Sequence, residues 1–141
     1  MRTLFIDTWG WLNLFNRREP HHQQVSQIYK DIRHAQGAII TTDYVLDEVY
    51  TLLFKRVSFN TAQQALETIS KAVESGYVTV EWITPERFRV SQDLRLKFHD
   101  KPDISFTDLT SMVVMQECGI ADIVTGDAHF THVGMGFVLC P

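Results

Sequence analysis

Four acids of this chain, Asp7, Glu48, Asp108 and Asp127, stand where alternating strands and helices would gather them. Carboxylate oxygens are hard donors, and several of them converging on one point select Mg²⁺ or Mn²⁺ over zinc or copper. Such an ion lowers the pKa of a coordinated water and neutralises charge on the oxygens it holds, the chemistry of metal-assisted hydrolysis. Each acid also has an ordinary structural role. Asp7 ends an apolar run and could form a turn or cap a helix. Asp108 stands three residues after Ser105, the spacing of an acidic capping box. Asp127 follows Gly126, common turn chemistry. Glu48 is set apart from its neighbour Asp47 by face. At about 100° per residue, Val45, Leu46, Val49, Leu52, Leu53 and Val57 form one apolar stripe. Asp47 falls opposite that stripe, in solvent, and Glu48 falls on its flank, where a carboxylate can face a cleft.

The elements that must position these acids follow from the apolar pattern. Thr3–Ile6 is a buried strand ending at Asp7. Trp11–Phe15 reads as a short helix, and Pro20 opens a longer one running to Ala35 before Gly37. Ala38–Thr41 is a second strand, with Thr42 and Asp43 capping a helix to about Val57. The run Asn60-Thr61-Ala62-Gln63 has the form of a capping box for a helix closed by Gly76. Val78–Ile83 is a third strand, Thr84-Pro85 opens a helix to about Phe98, and Ser105-Phe106-Thr107-Asp108 opens another ended by Gly119. Ala121–Thr125 and Phe137–Cys140 are the last strands, joined through the turn at Gly126-Asp127. Strands alternating with helices predict a three-layer α/β/α fold with a mainly parallel central sheet, in one domain spanning residues 1–141. Ligands of such sheets bind beyond the carboxyl ends of the strands, where Asp7 and Asp127 fall.

Length and composition are those of a globular protein: 141 residues, 45% hydrophobic and 21% charged. A formal charge of -4 argues against gripping nucleic acid by charge alone, yet acids gathered around a cation lose their negative character locally. Cys118 and Cys140 have neither zinc-finger nor CxxC spacing and read as free thiols of a reducing compartment. The chain enters a strand at once, without a signal-peptide pattern, and has no apolar run near the ~20 residues of a membrane span. These features predict a soluble, cytoplasmic protein with no membrane partner.

Other residues are weighed against plainer roles. His21 and His22 begin a helix and are expected in solvent. His34 and His99 suit helix ends. His129, two residues after Asp127, could face the cleft and touch substrate or metal. Trp9, Trp11 and Phe15 are expected in the core or at a dimer contact rather than as a stacking platform for bases. Arg17, Arg18, Lys55, Arg56, Arg95, Lys97 and Lys101 could rim a site and hold phosphates, although for any one of them a solvated surface is the ordinary role.

The segments Phe5-Ile6-Asp7-Thr8, Leu46-Asp47-Glu48-Val49, Ser105-Phe106-Thr107-Asp108-Leu109 and Thr125-Gly126-Asp127-Ala128-His129-Phe130 together resemble a PIN domain, in order and over essentially the whole chain. The type is similar to the VapC-like toxins of bacterial toxin–antitoxin pairs. The resemblance implies that Asp7, Glu48, Asp108 and Asp127 are the catalytic, metal-binding acids of a Mg²⁺- or Mn²⁺-dependent endoribonuclease. It also implies that the Thr125 hydroxyl supports the site, a group in which Thr8 and Ser105 are placed. Asp103 is a possible substrate contact, and Asp100 also lies before the third motif. A homodimer and a small antitoxin are the implied partners. One departure stands out: many relatives carry a small polar residue where this chain has Trp9. That same Trp9 counts against a haloacid-dehalogenase-like phosphatase, which needs a second Asp there. The paired early acids and late lysine of a receiver domain are not evident. The non-enzymatic alternative is an inert PIN-like module that binds RNA or a partner.

Overall fold

The computed structural model describes residues 1–140. Leu4, Phe5 and Ile6 are almost wholly buried, as a strand sandwiched between helix layers must be. They belong to β1 (Thr3–Ile6), the middle of a sheet with β2 (Ala38–Thr42), β3 (Val78–Glu81), β4 (Asp122–Val124) and β5 (Val138–Leu139). The strand order is β3-β2-β1-β4-β5, and every pairing is parallel. The helices are α1 (Thr8–Phe15), α2 (His22–His34), α3 (Asp43–Arg56), α4 (Phe59–Glu74), α5 (Pro85–Lys97), α6 (Phe106–Glu117) and α7 (His129–His132). The chain moves outward from β1 to β3, then returns past β1 to β4. Right-handed crossovers in opposite directions put α1 to α4 on one face and α5 and α6 on the other. The reversal falls between β1 and β4, the switch point at which open sheets leave a crevice.

Packing fixes the elements around that crevice. On α3 the buried residues are Val45, Leu46, Val49 and Leu53, the centre of the expected stripe. From Leu109 to Met115, α6 is buried on every side, so it is a core helix rather than an amphipathic one. The Trp11 indole, 1% exposed, packs under β1 and β2. Its Nε1–H donates to Thr41 Oγ1 at 3.1 Å, and that hydroxyl donates to the Ile6 carbonyl at 3.1 Å. Burying a ring of that size contributes about 4–6 kcal/mol once its N–H is satisfied. The core role expected for Trp11 is therefore the observed one, with Phe15 stacked on it at 6.1 Å.

Several boundaries differ from the sequence-based expectations, each for a local reason. Helix α1 begins at Thr8, not Trp11, because Asp7 caps it. Helix α2 begins at His22 rather than Pro20: the Asn13 side chain accepts from the His21 amide at 3.1 Å and holds residues 16–21 as a turn. His22 is accordingly half-buried, not solvated, and its Nδ1–H donates to the Asn13 carbonyl at 2.8 Å. The cap of α4 is Ser58, whose Oγ accepts from the Thr61 amide at 3.2 Å, so the box at Asn60 is not used. Strand β3 stops at Glu81, since the Asp43 carboxylate takes the Ile83 amide at 2.7 Å and turns the chain away. Between β4 and β5 lies α7, a single turn that the sequence pattern did not reveal. Strands β4 and β5 are shorter than expected, at three and two residues. The thiols of Cys118 and Cys140 are free.

Candidate metal centre

The register of β1 against β4 starts the site. Ile6 is level with Val124, so the next residues, Asp7 and Thr125, leave the sheet side by side. Asp7 has extended backbone and caps α1, its Oδ1 accepting from the Gly10 amide at 3.0 Å. An aspartate there favours the positive end of the helix. Thr125 turns the chain back, its Oγ1 accepting from the Asp127 amide at 3.0 Å, and its hydroxyl, near the Asp7 carboxyl, favours the charged form of that acid. Asp108 comes from the first turn of α6, capped by Ser105, whose Oγ accepts the Asp108 amide at 3.0 Å.

Burial and like charge dominate the electrostatics. Asp7 is only 5% exposed. Desolvation pushes its pKa up to about 7, against the pull of hydrogen bonds from Thr125 and Gly10, with Asp108 and Asp127 adding repulsion. Asp108 is raised to about 6, first by desolvation and then by the nearby charge of Asp127; Ser105 opposes the shift, and Glu48 adds to it. Asp7, Asp108 and Asp127 thus lie near enough to feel one another's charge, and Glu48 near enough to act on Asp108. Glu48 is half-buried while Asp47 is exposed, the division of faces that the periodicity predicts.

Among the described residues, no Lys or Arg pairs with any of these four acids. Hard oxygen donors, partly buried and without a counter-charge, suit a divalent cation. No three of them are already disposed around one point among the described residues.

The remaining residues divide clearly. His129 sits by Asp127: its amide donates to Oδ1 at 2.8 Å, and its Nδ1 lies 2.9 Å from the same oxygen without hydrogen-bond alignment. It therefore orients an acid of the cluster. Thr8 is half-buried in the first turn of α1, next to Asp7. Asp103 and Asp100 are exposed in the loop before α6, and Asp100 pairs with Lys101 at 3.2 Å. Trp9 has a role the sequence did not suggest. A Cβ added at Gly126 would lie 2.6 Å from the Trp9 ring. The indole thus covers Gly126, the residue before Asp127. A large residue two places after a strand-end acid, with a glycine before the last acid, was the available signal.

A crevice at the switch point, walled by strand-end acids and a helix N-terminus, is the architecture of the PIN domain. The PIN domain model matches residues 4–135, and the chain belongs to that family of nucleases, which generally use a divalent metal. The chain is a homologue of VapC-type endonucleases. It is 28% identical over 131 residues to the 23S rRNA-specific endonuclease VapC20 of Mycobacterium tuberculosis, covering 93% of this chain and 94% of that protein. The crystal structure of Mycobacterium tuberculosis VapC20, described as a sarcin-ricin loop cleaving toxin, superimposes with a TM-score of 0.78 at 29% identity, over 97% of this chain and 98% of that one. VapBC2 from Rickettsia felis, solved with a promoter DNA fragment, shares the fold, with a TM-score of 0.69 at 14% identity over 98% and 97% of the two chains. No helix among the described residues is long and apolar enough to cross a membrane.

Proposed function

We propose that this chain is an endoribonuclease dependent on Mg²⁺ or Mn²⁺, and the toxin of a type II toxin–antitoxin pair, with residues 1–141 acting as one nuclease domain. The observation that carries the proposal is the mutual repulsion of Asp7, Asp108 and Asp127 at the switch point, with Asp7 buried and, among the described residues, no Lys or Arg paired with them. Asp7, Asp108 and Asp127 would hold the principal ion, and Glu48 would act through water. When bound, the ion supplies an acidified water and charge neutralisation on the phosphate. The chain's own residues set the stage. The Gly10 amide holds the Asp7 carboxylate in one orientation, and the Thr125 hydroxyl favours its charged form. The Ser105 cap fixes where Asp108 leaves α6. The His129 amide and the Thr125 hydroxyl aim Asp127, while Trp9 covers Gly126 beside it.

The relative's named substrate makes a structured 23S rRNA loop the first candidate for this chain. The likeness to VapBC2 supports a small antitoxin as one partner, and a second copy of the chain, in the cytoplasm, completes the proposal. An endonuclease assay with Mg²⁺ or Mn²⁺ on structured and single-stranded RNA tests the reading. Asp7→Asn and Asp127→Asn each abolish cleavage if it is right, and a confirmed activity that survives both refutes the site. The inert-module reading draws on the acids not being preset around one point. Calorimetric titration separates the two, because an inert module binds Mg²⁺ or Mn²⁺ no better than a variant lacking all four acids.

A further inference from the structure

The arginines of this chain fall into two groups. Arg2, Arg87 and Arg89 bridge carboxylates. Arg33 lies over the Tyr77 ring at 3.6 Å, and Arg95 donates to the carbonyls of Phe98, Lys101 and Ile104. Arg17, Arg18 and Arg56 are the others, and among the described residues none has a carboxylate within 4.0 Å. All three line one cavity of about 700 Å³, walled by the turn after α1, the end of α3 and the start of α4. His22, Ser58 and Thr61 line it too, and no Asp or Glu among the described residues does. In a chain of net charge -4, every uncommitted guanidinium thus faces one hollow.

Helix α1 joins this hollow to the acid crevice. Asp7 caps its first turn, and Arg17 and Arg18 follow its last. Eight helical residues span about 12 Å, or three to four nucleotides at ~3.4 Å per stacked step. We propose that the hollow is a phosphate-binding groove for RNA, holding the backbone a few nucleotides from the bond cut in the crevice. The inference rests on the ribonuclease reading and names residues that position its substrate. Guanidinium forks match phosphate oxygens, and the hydroxyls of Ser58 and Thr61 add neutral donors. The arrangement also resolves how an acidic protein holds a polyanion: the contacts are concentrated rather than spread over the surface.

The test is fluorescence anisotropy of a labelled 20-nucleotide single-stranded RNA, in Mg²⁺, on the chain carrying Asp7→Asn to silence cleavage. Salt is varied from about 50 to 200 mM. Adding Arg17→Gln, Arg18→Gln and Arg56→Gln weakens binding at least ~10-fold at low salt. It also flattens the slope of log affinity against log salt by about 2, since each phosphate contact on a single strand is worth about 0.7. Three Arg→Lys changes at the same positions restore most of the slope. Replacing the exposed Lys30, Lys71 and Lys97 by Gln has a clearly smaller effect. The proposal falls if the arginine set leaves affinity and slope unchanged, or if the lysine set weakens binding as much. It also falls if the arginine set spares RNA yet abolishes binding of a poly-glutamate peptide, which would make the hollow a protein-docking surface. If unsubstituted protein neither binds nor cleaves structured or single-stranded RNA, the ribonuclease reading fails with it. If it cleaves and only the arginine set is silent, the groove alone is wrong.

Discussion

Around Arg87 each charge has its opposite beside it, whereas around Asp7 acids face acids. Arg87 extends from α5 to Glu117 at the end of α6 with two bonds of 3.1 and 3.0 Å. It also reaches Glu81 at the end of β3, at 3.6 Å, and the Trp82 carbonyl at 2.9 Å. Glu117 holds Arg87 firmly protonated, and Arg87 in turn depresses the carboxyl of Glu117. This clasp fastens three elements and leaves nothing for a ligand to satisfy. The acid crevice inverts the plan. Its hydrogen bonds orient carboxylates without neutralising them, and burial makes their charge costly. A folded chain tolerates such a cluster where something outside the chain completes it.

The sharpest way to break this comparison is to neutralise one member of each region. Asp7→Asn keeps the cap of α1, because Asn serves that position as well as Asp. It removes a buried charge and, on the proposed reading, an ion ligand together. Cleavage is expected to fall by about 100-fold or more, in line with losing a group that acts on developing charge. Thermal unfolding in EDTA near pH 8 is expected to move upward, the opposite of an ordinary core substitution. Added Mg²⁺ raises the midpoint of the unsubstituted chain and hardly moves the variant, since binding to the native state stabilises by mass action. A variant less stable in EDTA and still active would place Asp7 with Arg87 as a structural residue.

Acidity probes the same crevice without mutation. The pKa of Asp7 is about 7 and that of Asp108 about 6 in the folded chain, both above the ordinary 3.8. The native state therefore holds protons that the unfolded state releases, and stability falls as pH rises from about 4 through 7. At 1.36 kcal/mol per pKa unit the Asp7 shift corresponds to on the order of 4 kcal/mol. Urea unfolding of metal-free protein at pH 5 and pH 8 measures this, and saturating Mg²⁺ should remove most of the difference. A metal-free protein that is no less stable at pH 8 would mean the acids are better solvated than their burial implies.

Much of this contrast was legible in the sequence, and the illegible parts have physical reasons. Asp7 and Asp127 could be placed because strand ends show as apolar runs that stop. That they lie side by side follows from the β1–β4 pairing, which no local pattern encodes. Helix α1 was read three residues short because the strand-end acid is also its cap. Helix α7 spans four residues, too few for a 3.6-residue period to appear. Pro20 suggested a helix start that Asn13, from another element, overrides. The arginine hollow was hidden because Arg17 and Arg18 come from one turn and Arg56 from another helix, and each alone looks solvated.

Trp9 and Gly126 offer a smaller effect on the acid side. Gly126→Ala forces the indole away from a Cβ that would sit 2.6 Å from it. Overpacking of this kind costs about 1–3 kcal/mol. Cleavage should drop about 10-fold through displacement of Asp127. Trp9→Ala in the same chain should recover much of both losses, a coupling that a double-mutant cycle reads directly. On the other side, Arg87→Ala is expected to lower stability by about 1–3 kcal/mol with kcat retained. A large loss of cleavage there would end the distinction between the two regions.

The finest division lies between adjacent residues of α3. Asp47 and Glu48 differ by one position and about 100° of rotation. Asp47 is exposed and Glu48 half-buried, close enough to Asp108 to raise its pKa. Asp47→Asn should change stability by no more than about 0.5 kcal/mol and leave cleavage intact, as for most surface substitutions. Glu48→Gln removes one like charge from the cluster, so the metal-free protein should gain slightly in stability near pH 8. The same change should weaken Mg²⁺ binding and slow cleavage by about 10-fold, less than Asp7→Asn, if Glu48 acts from the flank through water as proposed. Calorimetric Mg²⁺ affinities for the two variants decide the matter. Equal effects would mean that the rotation of α3 has no bearing on the ion, and the site would reduce to the three aspartates.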